Sequence, residues 1–247
     1  MSIHYQLNPK FSNFEDTLLN IEETFNASRE SIHKARNELR IVEIHGIKCV
    51  IKSFKVPHLL NRIVYTYFKD SKAKKSYINS LKLQKLKIHT PEPIAYIEEL
   101  CPTLHKSHFI NRAFDYDFTI REPLLDKSFN DREEIFKEFA RFTSKLHTNS
   151  VLHQDYSPGN ILIKKEGNSF IFSVVDINRM SFSPLSKKTR YRNFSKLWAD
   201  ADVLEIISKE YSKIMGYDYK ECLEEILKYD QAHKDFKNFK KKIKALF

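Results

Sequence analysis

Apolar residues return every three to four positions near the start of the chain, at Phe14, Leu18, Ile21 and Phe25, which predicts a short amphipathic helix over residues 13–25. The pattern then changes. LRIVEI and KCVIKSF flank His45-Gly46, and two apolar, β-branched runs around a glycine predict a β-hairpin with Lys52 inside its second strand. Residues 29–39 suit helix and strand alike. Ser71 to Lys87 is helical by composition: Ser71 can cap the first turn, and Ala73, Tyr77, Ile78 and Leu81 form an inward stripe. Pro91 and Pro93 end that helix, and IAYIEE reads as a further strand.

DYDFTIREPLLD reads as an extended stretch broken by Pro123. From Asn130 or Asp131 a helix follows, with Ile135, Phe139, Phe142 and Leu146 on one face. It runs directly into HQDYSPGNIL, His153 to Leu162. ILIKK and FIFSVVD then predict two strands joined across Glu166-Gly167-Asn168, and the remainder from about Asn193 is mostly helical. No internal repeat or linker interrupts the chain. The expected class is therefore α+β, with a strand-rich first part, residues 1–125, a helix-rich second part, residues 126–247, and a boundary near 124–130.

A chain of 247 residues with 41% hydrophobic residues can bury a sizeable core. MSIHYQLNPKF does not resemble a signal peptide and no run of eighteen apolar residues occurs, so the expectation is a cytoplasmic protein. Cys49, Cys101 and Cys222 are too far apart for metal-ligand spacing or a disulfide framework and read as buried thiols. Forty-two Lys and Arg against thirty-two Asp and Glu, a net charge of +10, favour an anionic partner. The aromatics fall on core stripes and no RNA- or DNA-reading motif occurs, which argues against nucleic acid and leaves a membrane surface, a nucleotide or a phosphorylated glycan.

The chemistry concentrates in the loop. Phosphoryl transfer from ATP needs positioning, charge neutralisation and a group that orients the attacking hydroxyl. Asp155 can accept or orient the acceptor's proton, Asn160 can offer an amide oxygen to Mg2+, and Asp176, at the end of FSVVD, can return beside Asn160 through the hairpin. An upstream helix, a following hairpin and an aspartate after it match the surroundings of a kinase catalytic loop. Lys52, on a strand ahead of the 71–87 helix, is placed to meet the inner phosphates. A glycine-rich phosphate loop is missing: Gly46 alone lies near the first hairpin.

The strings ARNELRIVEI, IKSFKVPHLLNRIVYTYFKDSKAKKSYINSLKL, HTPEPIAYIEE, FTIREPL, FARFTSKLH, LHQDYSPGNILI and VVDINRMSF resemble those of the lipopolysaccharide kinases that phosphorylate Kdo or heptose sugars of the inner core, in the form found in Bacteroides-like bacteria. DINR, standing where protein kinases carry DFG, and SKAKKSY discriminate most. The resemblance implies a protein-kinase-like fold of two lobes, a small antiparallel-sheet lobe with one long helix and a mainly helical larger lobe, with ATP and Mg2+ as cofactors. It implies the catalytic aspartate at Asp155, the metal positions at Asn160 and Asp176, and the phosphate lysine at Lys52. It also implies a hinge at Arg121 to Leu125, where the backbone of Arg121, Glu122 and Leu124 would receive adenine, and a bracing role for His153. Arg179 has two readings: contact with a phosphate or acidic sugar, or pairing with a neighbouring carboxylate.

One position departs from the family pattern. The resemblance implies an acid on the cleft-facing side of the SKAKKSY helix, paired with the strand lysine, and Ile78 stands there. Loss of one member of a buried charge pair costs about 3–5 kcal/mol unless something replaces it; Glu43 is the substitute considered. At the C-terminus, Phe236, Phe239, Ile243 and Phe247 recur at near-helical spacing with lysines between them, which suits either an anionic inner-membrane surface or packing against the second lobe. Lys69, Lys72, Lys74 and Lys75 could add to the same membrane-facing charge. The expected acceptor is a lipopolysaccharide or lipid A-linked sugar; a kinase of another acceptor, protein or small molecule, and a nucleotide-binding pseudokinase adaptor are the competing readings.

Overall fold

The computed structural model describes residues 2–28, 31–34 and 37–244. The chain divides into two compact units, Met1–Asp115 and Tyr116–Phe247. The first is built on a six-stranded antiparallel sheet. In chain order its elements are β1 (Ser2–Leu7), a 3-10 segment (Pro9–Phe14), α1 (Glu15–Leu19), α2 (Ile21–Ala27), β2 (Ser31–Lys34), β3 (Asn37–Ile44), β4 (Ile47–Phe54), α3 (Leu59–Tyr67), α4 (Lys72–Lys85), β5 (Pro93–Cys101) and β6 (Thr103–Arg112). The sheet runs β1-β5-β6-β4-β3-β2.

Strand alternation assigns the two faces of that sheet. Cys49 and Ile51 of β4 point to one side, where they pack with Phe11, Phe14, Leu18, Ile21 and Phe25 of the N-terminal segment. Phe54 of β4 and Phe109 of β6 point to the other, against Ala73 and Tyr77 of α4. Glu22 of α2 ties the N-terminal layer to β6: it lies 3.1 Å from His108 and 2.7 Å from Lys106, and those two neighbours draw its carboxyl down to about 2. The β3–β4 hairpin turns on His45 and Gly46, both with positive φ, as a two-residue turn matched to strand twist requires.

The second unit comprises β7 (Phe118–Thr119), α5 (Arg121–Leu125), α6 (Arg132–Thr148), β8 (Val151–His153), a 3-10 turn (Pro158–Asn160), β9 (Ile161–Glu166), β10 (Ser169–Val174), β11 (Met180–Phe182), α7 (Lys187–Phe194), α8 (Ala201–Met215) and α9 (Tyr219–Lys244). Two small sheets, β10-β9-β7 and β11-β8, lie among the helices. The predicted stripe of α6 is its inner face: Ile135, Phe139 and Leu146 are buried, and Phe142 stacks on Phe172 at 5.6 Å.

Several expectations change in detail. The N-terminal helix is broken at Asn20, whose backbone leaves the helical region, so residues 9–27 form three short pieces. Residues 31–34 and 37–39 are strand, while positions 29–30 and 35–36 lie outside the described residues. Cys101 is exposed where β5 ends, unlike the buried Cys49 and Cys222. The boundary between units precedes 124–130 because β7 already pairs with β9. The last correction bears on the site: Arg121–Leu125 is one turn of helix and not extended chain. Glu122 accepts from both the backbone N–H and the hydroxyl of Thr119, at 2.9 and 2.6 Å, and the Thr119 hydroxyl oxygen accepts from the N–H of Arg121. That is a capping-box arrangement, and Thr119-Ile-Arg-Glu122 is its sequence signature.

Candidate active site

The loop between β8 and β9 is held by backbone hydrogen bonds that do not involve the Asp155 carboxylate. Ser157 N–H donates to the Asp155 carbonyl at 2.8 Å and Asn160 N–H to the Ser157 carbonyl at 2.9 Å. The Asn160 amide nitrogen donates to the same Asp155 carbonyl at 2.8 Å, which fixes the orientation of that amide and leaves Oδ1 as its acceptor end. From the next hairpin, Val175 N–H donates to the Asn160 carbonyl at 3.0 Å. Asp155, Asn160 and Asp176 are thus brought together by main-chain bonds across twenty residues of sequence.

His153 supplies the brace expected of it. Its Nε2–H donates to the Val175 carbonyl at 2.9 Å and its Nδ1 accepts the Asp155 N–H at 3.2 Å. One neutral tautomer satisfies both bonds. Burial pushes the imidazole below its ordinary range, so it stays in that form. A buried polar chain continues behind it: Asn193 Nδ2–H donates to the His153 carbonyl at 3.0 Å, His147 Nε2–H donates to Asn193 Oδ1 at 3.1 Å, and the Tyr211 hydroxyl donates to His147 Nδ1 at 2.8 Å. Tyr156, next to Asp155, is anchored in the core by stacking on Phe139 at 5.5 Å and by a 2.9 Å hydrogen bond to Thr143.

Asp176 lies two residues past the end of β10 in the left-handed region, φ +54, and its Oδ1 accepts from Asn178 Nδ2 at 2.5 Å. A non-glycine residue held there is the kind of strain found at functional positions. The β8–β11 ladder, with Met180 opposite His153 and Gln154 N–H on the Arg179 carbonyl, carries Arg179 back to the loop. Its guanidinium stands 3.8 Å from Asp155, both side chains about half exposed. The pairing with a carboxylate is thus seen, at long range and open to solvent.

Sequence reasoning missed the cations that converge on the same place. Lys196, half-buried, feels Lys237 and Arg192 as well as Asp155; burial first, then those two positive charges, push its ammonium below the ordinary lysine range while Asp155 opposes them. His233 is lowered by burial and by Lys196 and Lys237. These residues stand up to 82 positions from Asp155 in the chain and carry no local motif, so no sequence signal could have joined them.

The segment expected as hinge is internally bonded. The N–H groups of Leu124 and Asp126 donate to the carbonyls of Ile120 and Glu122, and the Glu122 carboxylate accepts from its own helix start at Thr119. Arg121 lays its guanidinium over Gly159: a Cβ on that glycine would come within 2.7 Å of Nη2.

In the first unit, Lys52 is half-buried on the α4 face of the sheet, opposite Phe109, with its ammonium 5.4 Å from the centre of the Phe54 ring. Ile78 packs with Phe54, Tyr77, Tyr96 and Phe109 in the apolar cluster of that face. Glu43 is opposite Lys48, whereas Lys52 is opposite Leu39, so Glu43 is not its cross-strand partner.

The chain was compared with known proteins. Residues 58–217, well over half of it, match the model of the lipopolysaccharide kinase (Kdo/WaaP) family. Asp155, Asn160, Asp176 and Arg179 fall inside that match and Lys52 just before it. A solved structure, WaaP in complex with acyl carrier protein, is similar with a TM-score of 0.64 over 94% of this chain and 98% of that one, at 14% identity, a likeness of fold. No curated protein sequence matches significantly. The architecture, a small sheet-based unit followed by a helical one, is protein-kinase-like, and the chain belongs to the lipopolysaccharide kinase (Kdo/WaaP) family.

Proposed function

We propose that the protein transfers the γ-phosphoryl group of ATP to a sugar hydroxyl of the lipopolysaccharide inner core or of its Kdo-bearing lipid A precursor. The observation that carries the reading is the set of main-chain bonds around Asp155, Asn160 and the residue before Asp176: a loop held at these points presents its side chains in fixed positions, as phosphoryl transfer demands. Asp155 orients the acceptor hydroxyl and takes its proton. Lys52 meets the inner phosphates. Asn160 Oδ1 and the Asp176 carboxylate are hard oxygen donors suited to Mg2+, which would neutralise charge on the phosphates when bound.

The cations around Asp155 support an acidic acceptor. Arg179, 3.8 Å from Asp155, and Lys196, which feels the Asp155 charge, suit a carboxylate or phosphate on the sugar next to the reacting hydroxyl. Arg179→Ala combined with Lys196→Ala is expected to raise KM for the acceptor roughly tenfold or more while KM for ATP changes little. Steady-state kinetics varying each substrate in turn would check this, and an unchanged acceptor KM would remove the assignment.

Among the described residues, no helix is long and apolar enough to cross a membrane. We place the reaction at the cytoplasmic face of the inner membrane, where a lipid-linked acceptor is presented. The direct test is transfer of labelled phosphate from ATP with Mg2+ to purified Kdo-lipid A, beside a protein substrate and a free sugar. Label on the glycan alone is expected; label on protein alone would identify a different acceptor class, and nucleotide binding without any transfer would favour a pseudokinase.

A further inference from the structure

Helix α3 is mounted inside out. Its polar residues face the sheet: Arg62 donates to the carbonyls of Leu104 and Cys101 at 3.0 and 2.9 Å, and the Thr66 hydroxyl accepts the N–H of Leu104 at 2.9 Å. Val64 and Tyr65 are partly buried, and the larger part of its apolar surface faces outward. Leu60, Ile63 and Tyr67 follow one another at spacings of three and four, flanked by Leu59 and Phe68, and Leu60, Tyr67 and Phe68 are 80%, 66% and 78% exposed. None of the residues of α3 is buried. Scattered exposed leucines are ordinary, but a continuous ridge of large apolar side chains on a helix whose polar side is the docked one marks an interaction surface.

Charge identifies what the ridge meets. Between Ile44 and Pro91 the chain carries eleven Lys and Arg and a single acid, Asp70. That acid is paired with Lys74 at 2.8 Å. Exposed Lys55 precedes the helix and exposed Lys69 follows it, so positive charge brackets the ridge at both ends. An apolar helix face lying parallel to a surface, flanked by lysines and ending in aromatics, has the composition of an interfacial element on anionic lipid.

We propose that α3 is a membrane-docking helix that inserts Leu59, Leu60, Ile63, Tyr67 and Phe68 into the headgroup boundary of an anionic bilayer, with Lys55 and Lys69 on the phosphates. The choice of lipid over another apolar partner rests in part on the lipid-linked acceptor proposed above; the orientation of α3 does not. Exposed Phe236 and Phe239 of α9 form a second apolar strip beside lysines, so the two elements must be separated by experiment.

Co-sedimentation with phosphatidylcholine vesicles containing about 30% phosphatidylglycerol, without nucleotide or acceptor, tests the proposal. Wild type is expected to pellet with these vesicles and not with pure phosphatidylcholine. Leu60→Asp with Ile63→Asp is expected to weaken binding roughly tenfold or more, as is Lys55→Glu with Lys69→Glu, while Phe236→Asp with Phe239→Asp retains most of it. All four α3-region positions are solvent-exposed, so an unchanged thermal melt should accompany the loss. Wild type left in the supernatant, α3 variants that bind as well as wild type, or a wild-type dimer in solution that Leu60→Asp with Ile63→Asp dissociates would each overturn the lipid assignment, the last in favour of a second copy of the chain. Because the assay contains no phosphoryl donor, its failure leaves the kinase reading standing, and a failed kinase assay leaves the vesicle result intact.

Discussion

Asp155→Ala is expected to lower kcat for phosphoryl transfer roughly a hundred- to ten-thousand-fold, the usual contribution of a positioned proton acceptor and equivalent to about 3–5 kcal/mol of barrier. The fold should tolerate the change. The groups of Asp155 that hold the loop are its N–H, bonded to His153, and its carbonyl, shared by Asn160 and Ser157, and alanine keeps both. The carboxylate itself is half exposed and its ion pair with Arg179 is long at 3.8 Å, an interaction of the kind that adds little stability. An unaltered melting temperature beside a collapsed kcat is therefore the expected pair of results. Asp176→Asn keeps an oxygen for Asn178 but removes a formal charge from the proposed metal position, so nucleotide affinity and kcat should both fall. Turnover of Asp155→Ala within roughly threefold of wild type would sink the assignment of the general base.

The second large effect is on stability against pH, through His147. Burial holds its imidazole down to about 4, against 6.5 as the ordinary value, while Asn193 beside it pulls the other way. A group whose protonation is disfavoured in the folded state binds more protons when unfolded, so its contribution to stability is present above about 6.5 and lost as pH falls toward about 4. The gap corresponds to about 3 kcal/mol. His153 is shifted in the same direction and adds to the slope. In His147→Gln an amide can still donate to Asn193 and accept from Tyr211, so the network survives while the titration disappears. Urea unfolding from pH 7 to pH 4.5 should show the variant losing less stability than wild type, with proton uptake on unfolding reduced by up to one. Parallel slopes would show that His147 is not held neutral. Because Asn193 also holds the His153 carbonyl, acid that charges His147 is expected to loosen the loop that carries Asp155 before the whole unit unfolds.

Local pattern was enough wherever a local force decides the outcome. The 3.6-residue spacing of Ile135, Phe139, Phe142 and Leu146 laid out α6, Ser71 marked the start of α4 by capping it through the N–H of Lys74, and His45-Gly46 marked a turn. Each depends on side chains within a few residues of one another. The β5–β6 hairpin is only half legible: TLHKSHF in β6 mixes polar and apolar residues because its neighbours on both sides, and not its own composition, make it a central strand. Arg121–Leu125 was misread because Pro123 suggested extended chain, although proline is tolerated in the first turn of a helix and the Thr119–Glu122 pair announces one.

The same division runs through the site and the surface. HxDxxxxN and the aspartate beyond the hairpin single out Asp155, Asn160 and Asp176 as the residues proposed to carry the chemistry, and their spacing is set by one loop and one hairpin that the chain specifies locally. The membership of Lys196, Lys237, Arg192 and Arg179 in one cluster, the relay from Tyr211 through His147 and Asn193 to His153, and the direction in which α3 turns its apolar side were decided by tertiary structure alone. An amphipathic pattern states that a helix has two faces; which face is buried depends on what the rest of the chain offers, and the β5–β6 hairpin offers α3 the carbonyl oxygens of Cys101 and Leu104, which Arg62 satisfies better than any leucine could.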